Sequence, residues 1–187
     1  ALAAATVGVS CTDTWDDHYS VNGTVPGATL WENMQLDESI RPFVRVLDSC
    51  GYKDILNANQ VFTVWAPEIT DAEAQSWIDT YKREKSQGII DDDNATLNQF
   101  IKNHISMYNQ QVSSLTKDET VKMMNGKRLS LTSSMLNGEV NMVGSGVPSS
   151  NGMLYKVDGA VTFFPNIWER VRMESEGDQG LDSVAHF

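Results

Sequence analysis

The amino-acid sequence predicts an α+β domain, with helices gathered in the first half and an antiparallel, hairpin-built region in the second. Three observations lead there. Up to about residue 105, apolar side chains recur at helical spacing, interrupted by one short β-branched and aromatic run. Three Asn-Gly pairs (125–126, 137–138 and 151–152) each lie between short strand-like runs, and Asn-Gly suits the two positive φ values of a tight hairpin. Helices first and strands second point to α+β rather than alternating α/β.

Residues 1–10 are uncharged, small and apolar, and they run into Cys11. Residues 1–11 read as the end of a lipoprotein signal peptide, with Cys11 as the lipid-attachment residue. Acyl chains contribute ~0.8 kcal/mol per buried CH₂, so several together form a stable anchor. The alternative is an apolar N-terminal element with an incidental cysteine. Residues 12–28 are polar, contain Asn22-Gly23 and Pro26-Gly27, and read as a tether.

A helix is expected over 37–48. Asp37 is its N-cap, Ile40, Phe43, Val44 and Leu47 form its apolar stripe, Pro42 distorts its start, and Gly51 ends it. A strand follows at 61–65, stopped by Pro67. Thr70-Asp71-Ala72-Glu73 has capping-box spacing and opens a helix with Ala74, Trp77, Ile78 and Tyr81 on one face. Gln87-Gly88 closes it. Asp91-Asp92-Asp93-Asn94 then starts a helix with Leu97, Phe100, Ile101, His104 and Ile105 on one stripe, its acids favoured by the helix dipole. Strand-like runs at 119–124, 127–132, 139–143, 153–157 and 160–163 complete the chain, with 144–152 as a hairpin loop. That loop contains Gly-x-Gly but joins no strand to a helix, so it is not a nucleotide-binding loop.

One internal echo stands out. Leu30-Trp31-Glu32-Asn33-Met34, followed by Leu36-Asp37, resembles Ile167-Trp168-Glu169-Arg170-Val171, followed after a longer gap by Leu181-Asp182; the first segments are offset by 137. That offset is a domain-sized period. Residues 167–187 read as the truncated start of a second copy; the alternative is a coincidence of a few residues in two amphipathic helices.

Composition excludes several functions. The formal net charge of −11 and the lack of a clustered basic surface argue against nucleic acid. No apolar run approaches the ~20 residues of a membrane-spanning helix. Two cysteines make no disulfide framework, and Cys50 reads as a buried free thiol. His18, His104 and His186 are far apart, so no metal site is expected, and no cofactor either. Asp91-Asp92-Asp93 lacks the alternate ligands, glycine and terminal glutamate of a calcium loop and reads as a solvated cap. His104, on an apolar stripe, reads as a buried, hydrogen-bonded structural residue, with a contact residue at the helix edge as the alternative. No nucleophile–base pair stands out, so no catalytic residue is assigned. Trp15, Trp31, Trp65, Trp77 and Trp168 could form a carbohydrate platform, but most sit in core patterns.

Four segments, in order, resemble the fasciclin domain family. Phe62-Thr63-Val64-Trp65-Ala66-Pro67 is similar to its first box, with Trp65 in place of Phe. Leu97 to Ile105 is similar to its histidine-ended helix. Met124-Asn125-Gly126-Lys127-Arg128-Leu129 matches its central Asn-Gly turn. Ser150 to Val161, with Pro165, looks like its second box. The resemblance spans 29–166. It implies a wedge-shaped β-sandwich of mostly antiparallel strands with N-terminal and flanking helices. It also implies adhesion or extracellular binding. Some members carry a Tyr-His pair linked to receptor adhesion; here the pair is Asn103-His104, which makes these two the candidate partner-binding residues. Acids soon after Cys11 (Asp16, Asp17) resemble a surface-export signal of some Gram-negative lipoproteins.

Together these readings give a cell-surface lipoprotein, lipid-anchored to the outer membrane of a Gram-negative bacterium, mediating adhesion or extracellular protein binding. The expected partner is an extracellular protein or a glycan, the membrane is touched only through lipid, and nucleic acid is no partner. A surface glycan-binding component is the alternative, and a hydrolase ranks last.

Overall fold

The computed structural model describes residues 27–175. Cys11, most of the expected tether and the tail beyond 175 lie outside the described residues.

Helix α1 (Leu30–Gln35) opens with a reciprocal capping box. Thr29 N–H donates to the Glu32 carboxylate at 2.8 Å, and Glu32 N–H donates to the Thr29 hydroxyl at 3.3 Å. Leu30, Trp31 and Met34 are buried. Asp37 caps as expected, taking the Ser39 N–H at 3.0 Å, but the helix over 37–48 divides. Residues Glu38–Ile40 make a 3₁₀ turn, and α2 (Arg41–Ser49) begins beside Pro42, whose missing N–H would be unpaired there anyway. Gly51, at φ +80°, ends α2 and leads straight into α3 (Tyr52–Asn57). The sequence pattern does not signal α3, because only Tyr52 and Leu56 are buried in it.

Strand β1 (Phe62–Pro67) is buried along its whole length, and Pro67 is its last residue rather than a stop outside it. Helix α4 (Asp71–Ser86) starts at the expected Thr70/Glu73 capping box. The continuous helix expected from Asp91 is absent. Asp91–Asp93 form a separate 3₁₀ turn. Asn94, fully buried, does the capping, its Oδ1 accepting the Leu97 N–H at 3.2 Å. A π-helical segment (Thr96–Ile101) and a 3₁₀ turn (Lys102–His104) follow, and Ile105 belongs to β2 (Ile105–Ser106). The reason is tertiary: Ile105 pairs with Val64, and its carbonyl takes the Met124 N–H at 2.7 Å. Sheet pairing has overridden the helical period.

The remaining strands are β3 (Glu119–Lys122), β4 (Arg128–Leu131), β5 (Met135–Leu136), β6 (Val140–Ser149) and β7 (Gly152–Val157). A last helix, α5 (Ile167–Ser175), follows. The seven strands run in the order β2-β1-β7-β6-β5-β4-β3. Only β1 and β7 are parallel. The α+β class with a mostly antiparallel sheet is thus as expected. Two segments differ. Residues 144–149, read as loop, form the second half of β6, and 160–163, read as strand, pair with no strand.

Between Val143↔Lys156 and Val147↔Leu154, β6 carries extra residues and bulges. The Tyr155 ring lies against Gly146, where an added Cβ would stand 2.3 Å from the ring. The two faces of β1 and β7 feed two cores. Phe62, Val64 and Leu154 meet Phe43, Leu47 and Phe100 from the helical side. Trp65, Tyr155 and Val157 meet Val121, Leu131 and Val140 from the β3–β6 side. The period of two along each strand makes this division.

Candidate functional site

The two residues singled out for partner binding sit side by side in the 3₁₀ turn that ends the helical half, and both point inward. Asn103 is 1% exposed and His104 0%. The Val161 N–H donates to His104 Nε2 at 2.9 Å. A backbone N–H can only donate, so Nε2 holds the lone pair. Nδ1 therefore carries the proton and donates to the Phe100 carbonyl at 2.7 Å. Burial pushes the imidazole pKa down to about 4, against the opposing pull of the Phe100 carbonyl and of Glu139. The ring packs edge-on to Phe43 and Phe100, with centroids 6.0 and 5.2 Å away.

Asn103 completes the arrangement. Its Nδ2 donates to the Val161 carbonyl at 3.2 Å, so both backbone groups of Val161 are satisfied by neighbouring side chains rather than by a strand. This explains why 160–163, for all its β-like composition, needs no ladder. Asn103 Oδ1 accepts from Asn125 Nδ2 at 3.0 Å, and Asn125 Nδ2 also reaches the Asn98 carbonyl at 3.0 Å. Asn98, Asn103, His104 and Asn125 thus tie the helical segment to the β3–β4 turn and to the chain after β7. With both nitrogens engaged and the neutral form favoured, His104 has no atom to offer as a base or to a surface partner.

A second polar hub went unread in the sequence. Asn151, 4% exposed, accepts from the Leu30 N–H at 2.7 Å and donates to the Leu56 and Ala58 carbonyls at 2.9 and 2.7 Å. It pins α1 and the end of α3 to the β6–β7 turn. Its Asn-Gly setting signals a turn and is silent about the side-chain amide. Tyr155 is a third: its hydroxyl accepts from the Val112 N–H at 2.9 Å and donates to the Gln110 carbonyl at 3.0 Å.

The other candidates fall as follows. Cys50 is half-buried, and burial pushes its thiol up to about 12. Asp92 pairs with Lys102, and among the described residues no group of His, Cys, Asp and Glu is placed to hold a metal ion. Trp31 and Trp65 are buried, while Trp77 stacks on Phe100 at 4.8 Å. Trp168 is 44% exposed. Two of the concave surfaces formed by the described residues lie near these candidates. A groove of about 320 Å³ lies between α4, residues 92–99 and α5, lined by Arg83, Glu84, Asp92, Gln99 and Phe163. Another, of about 410 Å³, lies over the β6 bulge, lined by Leu115, Met142, Met153 and Tyr155. No helix among the described residues is long and apolar enough to cross a membrane.

Comparison with known proteins gives the fold its family. The fasciclin domain model matches residues 38–162, about two-thirds of the chain, and the chain belongs to that family. Among solved structures, the chain is similar to a pair of fasciclin domains from the insect cell adhesion molecule fasciclin I. The identity is 14% and the TM-score 0.48, with 72% of this chain and 50% of that one covered. The chain thus spans about half the length of that structure. No curated protein sequence matches. Membership in the family brings a general association with adhesion or extracellular binding.

Proposed function

We propose that this chain is a cell-surface adhesion domain that binds an extracellular protein, held to the outer membrane by lipid on Cys11. The observation that carries the binding role is the match of residues 38–162 to the fasciclin domain model. Asn103 and His104 spend their hydrogen bonds on Val161, Phe100 and Asn125, so neither faces a partner directly. On this reading the pair supports the binding surface from beneath. The anchor rests on the apolar run ending in Val9-Ser10-Cys11. The net charge of −11 favours a partner of opposite sign, so binding weakens as salt rises.

The test is a pull-down from intact cells and extracellular matrix with the tethered domain, set beside a glycan array. Retention of a matrix protein, weakened by salt, supports the reading; array binding alone replaces it with the glycan alternative. For the anchor, the protein expressed with its complete signal peptide is labelled with a palmitate analogue. Cys11→Ser should lose the label and leave the membrane fraction, and equal retention of the variant removes the anchor.

A further inference from the structure

Strand β6 has ten residues, and its neighbour β5 has two. β5 pairs with Val140 and Asn141, and the Met142 N–H then donates to the Ser134 carbonyl at 2.8 Å. At the far end of β6, Asn33 Nδ2 reaches the Pro148 carbonyl, and the Ser150 N–H donates to the Ala28 carbonyl at 2.8 Å. Between these two closures Val143 and Val147 pair with β7 on one side. On the other side, among the described residues, no strand or side chain takes up the outward backbone groups of 143–147. The sheet therefore has a gap beside the second half of β6. An open strand edge is a template for another chain.

The gap opens onto the groove of about 410 Å³ over the β6 bulge, where Gly144, Ser145 and Gly146 form one wall. Leu115, Met142 and Met153 supply its apolar lining, and the chain of net charge −11 places no charged side chain there. The Tyr155 ring lies over Gly146, and its hydroxyl is tied to Val112 and Gln110, so this wall is held in place. The two methionine thioethers are flexible and adapt to what enters.

We infer that this gap is the contact surface of the binding role proposed above, an inference that rests on that role. It takes an extended, uncharged segment of the partner protein, which adds to the edge of β6 and sets an apolar side chain among Leu115, Met142 and Met153. Three features select this occupant. The edge offers main-chain donors and acceptors that another main chain satisfies, whereas an acyl chain would bury them unpaired. The uncharged lining has no partner for a charged side chain, which would lose its water there without compensation. A second copy of this chain is the poorer fit, because the bulge breaks the row of edge groups and two acidic chains repel. The net charge steers the partner from a distance, and the groove reads it at contact.

The experiment uses the whole chain with its methionine methyls isotope-labelled, followed by NMR. The probes are blocked peptides of about eight residues, alternating threonine with valine, leucine, methionine or phenylalanine. The Met142 and Met153 signals should move together and saturate, while those of Met34, in the helical core, and Met173, on α5, stay. N-methylation of alternate backbone amides in the tightest peptide should weaken binding about tenfold or more, through the lost edge hydrogen bonds. Ser145→Arg, at an exposed position of the wall, should also weaken it about tenfold or more by burying an unpaired charge, with melting unchanged. No peptide moving the two methyls, equal binding of the N-methylated peptide, or equally tight binding of decanol overturns the inference. So does equally tight binding of peptides with glutamate or lysine at the apolar positions. Capture of a matrix protein is then compared between the wild type and Ser145→Arg. Loss of capture in the variant supports the contact surface. Full capture by a variant that has lost the peptides overturns the surface and leaves the binding role standing. No capture by the wild type removes the role itself, and the contact surface with it.

Discussion

Two Asn-Gly turns of this domain look alike in sequence and are opposite in construction. At Asn137-Gly138, both residues adopt positive φ, 60° and 64°, and the Glu139 N–H closes the turn on the Leu136 carbonyl at 3.2 Å. That is a backbone turn, chosen because Asn and Gly tolerate the left-handed region. At Asn151-Gly152, Asn151 has no positive φ, and its amide is the buried pin between α1, α3 and the β6–β7 turn. Gly152, at φ +143°, lies so close to β1 that an added Cβ would stand 1.8 Å from the Phe62 carbonyl oxygen. One dipeptide serves local conformation, the other long-range packing. Asn125-Gly126 lies between them: Gly126 alone has positive φ, and the Asn125 amide turns inward to Asn103.

The comparison breaks most visibly at Gly152. Gly152→Ala forces a methyl into backbone, and the expected loss is about 4 kcal/mol or failure to fold, at the upper end for single substitutions. A denaturant midpoint near the wild-type value would show that β1 can yield. Asn151→Ala comes next. It strands the Leu30 N–H and two carbonyls, and the expected loss is about 3 kcal/mol, given roughly 1–3 kcal/mol for a buried unsatisfied group.

His104 sharpens the contrast because its side-chain link carries a titratable group. Its folded pKa of about 4 lies below the 6.5 of a free imidazole. The unfolded chain thus takes up the proton first as pH falls. The stabilisation is complete above about pH 6.5 and declines until about pH 4, a span worth ~3 kcal/mol at 1.36 kcal/mol per unit. His104→Ala should flatten that part of the stability–pH curve and cost about 2 kcal/mol at pH 7. A slope that survives the substitution would assign it to other groups. The smallest effect belongs to the exposed turn. Asn137→Ala should lose only about 1 kcal/mol, the cost of left-handed φ without a tolerant side chain, and Asn137→Gly should be near neutral. A loss at Asn137 equal to that at Asn151 would erase the distinction drawn here.

Much of this was legible in the chain. The Thr70/Glu73 capping box opens α4 where the spacing puts it, and Asp37 caps where its residue type allows, because caps are decided within one turn of backbone. The β-branched run at 62–65 is strand, and Asn137-Gly138 is the tight hairpin its composition requires. Helix-then-strand order yielded the α+β class for the same reason: periodicity records which face an element buries.

What the chain could not reveal depends on residues far apart in sequence. Ile105 is strand because Val64 lies beside it, and the stripe Phe100, Ile101, His104 breaks from regular helix to meet that pairing. Residues 144–149 are strand because β7 accepts a bulge with Tyr155 against Gly146. Val161 needs no strand because His104 and Asn103 take its backbone groups across more than fifty residues. The amides of Asn103, Asn125 and Asn151 have the same chemistry as any surface asparagine until the fold supplies their partners. Local conformation is set by short-range sterics and hydrogen bonds, which sequence encodes directly. The destination of a buried polar group is set by which backbone atoms the completed tertiary structure leaves unpaired, and only that structure decides it.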